Sequence, residues 1–167
     1  MHNTIWRLVA GTALSLVSLA PQAASLTYKT ESIEVSGTFQ EMAGPAARCP
    51  TQFGGTITGY GDSALIGRNA FVATDCIAPD GPIFNASNGQ LIIMTTTGDQ
   101  IFANYSGQMV PTGVGTQYVF TGGTFQITGG TGAYKRASGG GTLEGREEMA
   151  TGQGTMKLAG RISYWTR

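Results

Sequence analysis

Phe125-Gln126-Ile127-Thr128-Gly129-Gly130-Thr131-Gly132-Ala133-Tyr134-Lys135-Arg136-Ala137-Ser138-Gly139-Gly140-Gly141 is the stretch on which the reading of this chain turns. Phe125 and Ile127 alternate with Gln126 and Thr128, the period of a half-buried strand. The glycines that follow invite comparison with a phosphate loop, but the context is wrong for one. A phosphate loop needs a helix opening directly after its glycines, and the P-loop adds Gly-Lys-Ser/Thr. Only Ala133 to Ser138 separate the two glycine clusters, room for a turn or two, and no Gly-Lys-Ser/Thr occurs. Glycine here therefore serves a tight turn and close backbone approach between two strands at a barrel rim.

Working outward, the same period of two recurs between glycine-rich turns, and no segment has helical periodicity. Ile33, Val35 and Phe39 alternate with Glu34, Ser36 and Thr38, predicting a strand over Ser32–Glu41. Further strands are expected at Phe53–Tyr60, Leu65–Ile77, Leu91–Thr96, Gln100–Gly107, Gln117–Thr128, Gly140–Met149 and Thr155–Trp165. Ala78 to Asn88, with Pro79-Asp80-Gly81-Pro82, reads as a loop. In the last strand Met156, Leu158, Gly160, Ile162 and Tyr164 share one face and Lys157, Arg161 and Ser163 the other. Eight or so such strands predict an all-β fold, a single eight-stranded antiparallel closed β-barrel, which removes exposed sheet edges. A membrane-spanning barrel would need an apolar outer band. Glu34, Lys157 and Arg161 lie opposite the apolar stripes, so the apolar side is expected to face inward, without membrane insertion.

The N-terminus has Arg7, an apolar run from Leu8 to Ala20, and small residues through Ala23-Ala24-Ser25, the pattern of a secretory signal peptide over residues 1–24. The expected location is periplasmic or secreted, with residues 25–167 as one β-barrel domain of about 143 residues, enough to bury a substantial core. His2 is the one histidine of the chain, so the exported domain would have no imidazole. That argues against Ser-His-Asp and Cys-His catalysis, and no metal site or cofactor is expected. Without Arg7 the charge is about −1, which gives no reason to expect nucleic acid as a partner. Charged residues are 12% of the chain and glycines number 26, a composition suited to closely turned strands.

Cys49 and Cys76 are the two cysteines, and in an exported protein a pair is expected to be oxidised. If Gly61-Asp62-Ser63 turns a hairpin with Asp62 opposite Ser63, opposed residue numbers sum to 125, as 49 and 76 do. The disulfide would then close the open end of that hairpin, contributing roughly 3 kcal/mol.

Ile127 to Gly132, the aromatic Tyr134 and the Ala137-Ser138-Gly139 step together resemble a segment of the allene oxide cyclase-like barrels and, more loosely, of the plant dirigent proteins. Gly98-Asp99 and Tyr105-Ser106-Gly107 upstream, and Leu158-Ala159-Gly160 downstream, are similar in order, so the resemblance spans roughly residues 97–164. It implies a barrel of the allene oxide cyclase-like type and a homo-oligomer, trimer or dimer. The first half departs from the pattern and is where much of the plant cyclases' catalytic constellation lies, so no catalytic residue carries over, and the resemblance implies a barrel without implying a defined activity.

A barrel site is an apolar lumen with a few polar groups at depth or at its mouth. The candidate ligand-binding residues are Phe39, Phe125 and Met156 as walls, Tyr105 and Tyr164 on apolar stripes, and Arg68 and Asp75 near the disulfide hairpin, with Asn69 beside them. Core packing is the competing account of each apolar member, and Asp75 also suits a loop hydrogen bond. Glu144, Arg146, Glu147 and Glu148 read as a solvated strand face. Three functions follow in order: a carrier binding a small apolar molecule, a structural or partner-binding barrel with a packed interior, and a cyclase- or isomerase-like enzyme.

Overall fold

Side chains that alternate in the sequence line up as stripes on the two faces of a strand, and burying every apolar stripe at once requires the sheet to close. The computed structural model describes residues 26–166, and the expected leader over residues 1–24 lies outside them. Eight strands follow in chain order: β1 Thr27–Pro45, β2 Phe53–Asp62, β3 Asn69–Asp80, β4 Ile83–Thr95, β5 Gln100–Pro111, β6 Gln117–Gly130, β7 Ser138–Glu148 and β8 Gln153–Thr166. Each pairs antiparallel with its chain neighbours and β1 returns to β8, giving a closed barrel. β1 is longer than its alternation suggested because it serves two partners. Thr27 to Gln40 pair with β8, and Ser36 to Pro45 pair with β2.

The inward stripes are those expected. Ile33, Val35, Ile93, Ile101, Leu158 and Ile162 are the largest fully buried side chains, each contributing about 1.5–3 kcal/mol of hydrophobic stabilisation. On the outer face of the β1–β8 seam, Lys157 Nζ lies 3.1 Å from Glu34 Oε1. Among the described residues no helix is long and apolar enough to cross a membrane.

The two ends of the barrel differ. One end is plugged by the connection over residues 63–68, which buries Ile66, and by the connection after β6, which buries Tyr134 and Ala137 in the same core. Here the glycine motif does what its context predicted. β6 ends at Gly130, a single 3₁₀ turn spans Gly132–Tyr134, and β7 departs at Ser138. Gly129 (φ +141°) and Gly132 (φ +52°) adopt backbone angles that L side chains resist. Gln100 and Thr131 tie the turn to β5, Thr131 N–H donating to Gln100 O and Gln100 N–H to Thr131 Oγ1, both at 2.9 Å.

Two expectations are corrected. Ala78 to Asn88 is a hairpin, not a loop: Asp80 pairs with Ile83 around Gly81-Pro82, and Pro79 pairs with Phe84. Polar Asn85, Ser87 and Asn88 masked the alternation there, and Gly81 at φ +61° makes the turn. Gly61-Asp62-Ser63 is not a two-residue turn either. β2 and β3 are joined by six residues, 63–68, because Leu65 and Ile66 pack against the core rather than opening a strand. The register then sets Cys76 opposite Gly54, with Gly61 opposite Asn69. Cys49 nevertheless bonds Cys76, with Cα atoms 5.3 Å apart. It does so from the β1–β2 connection, which folds back against β3. The buried bridge is compatible with an oxidising location.

Candidate functional site: a carboxyl cluster in the open half of the lumen

At the level of Asp75 the regular ladders break on several consecutive strands. The β3–β4 register shifts between Thr74 and Cys76, and the β4–β5 register between Ala86 and Gly89. β5–β6 shifts between Ser106 and Gln108, and β6–β7 between Phe120 and Gly123. Asn88 takes φ +50°, the left-handed conformation that Asn tolerates better than most residues. Bulges of this kind re-aim side chains at barrel rims and beside functional sites. Their local effect is clear at Gly89, directly opposite Tyr105. A Cβ at Gly89 would stand 2.5 Å from the Tyr105 ring, so the absent side chain lets the tyrosine lie flat on β4 and reach across it.

Tyr105 Oη donates to Asp75 Oδ2 at 2.8 Å, and Gly55 N–H donates to Asp75 Oδ1 at 3.1 Å. Glu41 reaches the same point from β1. A Cβ at Gly55 would lie 2.9 Å from Asp75 Oδ1 and closer still to Glu41 Oε1, so glycine at this position lets two carboxyl groups converge. Glu147 enters from β7 and hydrogen-bonds Glu41. Asp75, Glu147 and Tyr105 are 4%, 6% and 8% exposed. Behind Asp75, on the outer wall, Cys49 Sγ lies 3.7 Å from the Asp75 carbonyl oxygen, and Arg48 Nη1 is 3.7 Å from Cys76 Sγ and 3.4 Å from Asn88 O.

Burial dominates the electrostatics. It pushes the Asp75 carboxyl above its ordinary range against the Tyr105 and Gly55 hydrogen bonds and the Arg48 charge, all of which pull it down. Glu41 is pushed up to about 9 by burial, by the Glu147 and Asp75 charges and by its bond to Glu147. Glu147 is raised by burial and by Asp75, while the bond from Glu41 lowers it. The directions describe a carboxyl–carboxylate pair sharing a proton, Glu41 donating to Glu147. Burial and the facing carboxylate also hold the Tyr105 phenol protonated.

No family model and no curated protein matches this chain.

The cluster borders a cavity of about 90 Å³ in the unplugged half of the barrel, whose walls include Phe39, Ile57, Phe71, Phe84, Phe120 and Met156. That is well below the roughly 300 Å³ or more of drug-sized sites, so it accommodates a compact apolar body. Among the described residues no group of three His, Cys, Asp or Glu side chains is placed to hold a metal ion.

Of the residues singled out in sequence, Phe39, Asp75, Tyr105 and Met156 line this cavity together. Phe125 does not: it is buried core paired with Tyr105 on the next strand. Tyr164 belongs to the plugged half, where its hydroxyl bonds Glu31 and its ring lies 5.2 Å from that of Tyr134. Arg68 is exposed on the 63–68 connection of that plugged half. Neighbouring Asn69 donates to Gly67 O at 3.0 Å, and its Oδ1 is buried without a partner. Register separates these from Asp75, since Asn69 and Asp75 lie toward opposite ends of β3. Sequence reasoning missed Glu41 and Glu147. The available signal was parity: Glu41 shares the odd-numbered inward stripe of Ile33, Val35 and Phe39, and Glu147 that of Leu143.

Proposed function

We propose that this protein is an exported carrier, periplasmic or secreted, that binds a small, mainly apolar molecule in the open half of its barrel. The observation that carries the reading is the half-filled lumen. One half is packed solid with Ile and Leu, while the other keeps an apolar cavity bordered by buried carboxyl groups and a tyrosine. Carboxyls and a phenol on an apolar wall hold the polar atom of a ligand whose body is hydrophobic. The Ile127–Gly132 segment and its turn support placing the barrel with the allene oxide cyclase-like type, and the same resemblance supports a homo-oligomer. A second reading, cyclase- or isomerase-like catalysis, is favoured by one feature: a carboxyl kept protonated near neutral pH beside an apolar cavity is equipped as a general acid.

Native mass spectrometry of the protein exported by its own host, compared with the denatured mass, tests the carrier reading. A discrete excess mass lost on denaturation is expected, and the charge series counts subunits. Bare protein, together with no saturable binding of hydrophobic probes, would sink the carrier.

A further inference from the structure

We infer that the ligand carries a positively charged amine, seated among Glu41, Asp75 and Glu147 with its apolar body in the adjoining cavity; this rests on the carrier reading above. Three acidic side chains from β1, β3 and β7 meet in one half of the lumen, and no Lys or Arg among the described residues is paired with any of them. The one ion pair among the described residues is Lys157–Glu34, on the outer wall. Arg48 is engaged outside the barrel by Asn88 O and the disulfide, and Arg146, which also borders the cavity, is exposed on β7 and forms no ion pair with the three acids. The donors inside are already committed, since Gly55 N–H and Tyr105 Oη both serve Asp75.

Glu147 is the telling member. It is more than nine-tenths buried and faces the cavity, and its one hydrogen-bonding neighbour among the described residues is another acid, Glu41. A buried carboxylate without a cation is costly. Before a guest binds, a proton moderates that cost, and an ammonium group supplies three donors and the missing charge. The other walls favour the same guest. Phe84 and Phe120 line the cavity with the acids, and aromatic faces attract ammonium groups. A bare metal ion is a poorer match, because the acids are not grouped closely enough to chelate one.

The inference includes a proton balance. As the charged amine binds, the carboxyl O–H shared by Glu41 and Glu147 breaks, its proton passes to buffer, and the resulting carboxylate pairs with the ammonium. Binding therefore releases up to one proton.

The test is calorimetric titration of the intact exported protein at pH 7.5 with benzylamine and with benzyl alcohol, near-isosteric probes sized for this cavity. Each titration is run in two buffers of different ionisation enthalpy. Benzylamine is expected to bind about tenfold or more tightly than the alcohol, with proton release. Glu147→Gln should bring the amine down to the affinity of the alcohol and remove the proton release. Glu41→Gln serves if that variant does not fold, and the proton count needs no variant. Equal affinities without proton release would overturn the amine and leave the carrier standing; no saturable binding of either probe would overturn both.

Discussion

Glu41→Gln should make the protein more stable at pH 8 and remove most of an unusual pH dependence. An unfolded glutamate titrates near 4.5, whereas folded Glu41 is pushed up to about 9. Between those values the native state keeps a proton that the unfolded chain has lost. Stability from this group is therefore complete below about pH 4.5 and declines as pH rises toward 9. One retained proton changes stability by about 1.4 kcal/mol per pH unit, giving an upper bound of about 4 kcal/mol between pH 5 and pH 8. Solvent at the open end and relaxation of the pair reduce this, and about 2 kcal/mol is expected. Glu147 and Asp75 face Glu41 and titrate in the same raised direction, Tyr105 stays neutral, and Arg48 works against the shifts at Asp75 and Tyr105. A glutamine amide at this position would keep the donor of the protonated acid and lose the charge, so the variant should match the parent at pH 5 and exceed it at pH 8. Urea unfolding followed by circular dichroism from pH 5 to pH 8 measures this. Parental stability that is flat or rises with pH, or a variant with the parental slope, would refute the shared-proton account.

Removing the disulfide through Cys49→Ser and Cys76→Ser, a crosslink between residues 27 apart, should cost about 3.5 kcal/mol on the chain-entropy account, read as a lowered urea midpoint. It should also loosen Asp75, seen as weaker protection of the Gly55 amide in hydrogen exchange. Gly89→Ala would press a methyl group into the Tyr105 ring and should cost about 1–3 kcal/mol in thermal unfolding; an unchanged Tm would show that the ring does not lie where described. Tyr105→Phe leaves Asp75 Oδ2 without its donor. It should cost about 1–3 kcal/mol and drive the Asp75 carboxyl further up, followed by carboxyl carbon NMR across a pH titration.

How much of this could be read from the chain depends on what each feature requires. Strand identity and inward faces were legible, because the period of two in Ile33–Phe39 and Met156–Tyr164 is a local property. Pairing was less so. The Cys49–Cys76 bond was anticipated from a register that the protein does not use; Leu65 and Ile66 look like strand residues but plug the barrel, and a loop carries Cys49 to its partner. The site was half legible. Asp75 and Tyr105 are 30 residues apart and meet through a bulge at Asn88 that no alternation pattern reveals. Glu147 looked like part of a solvated charged run, and only the pleat of a closed wall turns it inward while Arg146 and Glu148 face out.

The plug at one end makes the barrel a vessel with a single doorway. A carrier of the kind proposed would load and unload through that same opening, one guest leaving before the next enters, with nothing handed through from end to end. Thr27 and Thr166 pair beside the plug, opposite that doorway. Anything anchored through those strand ends would hold the barrel upright with its entrance facing outward.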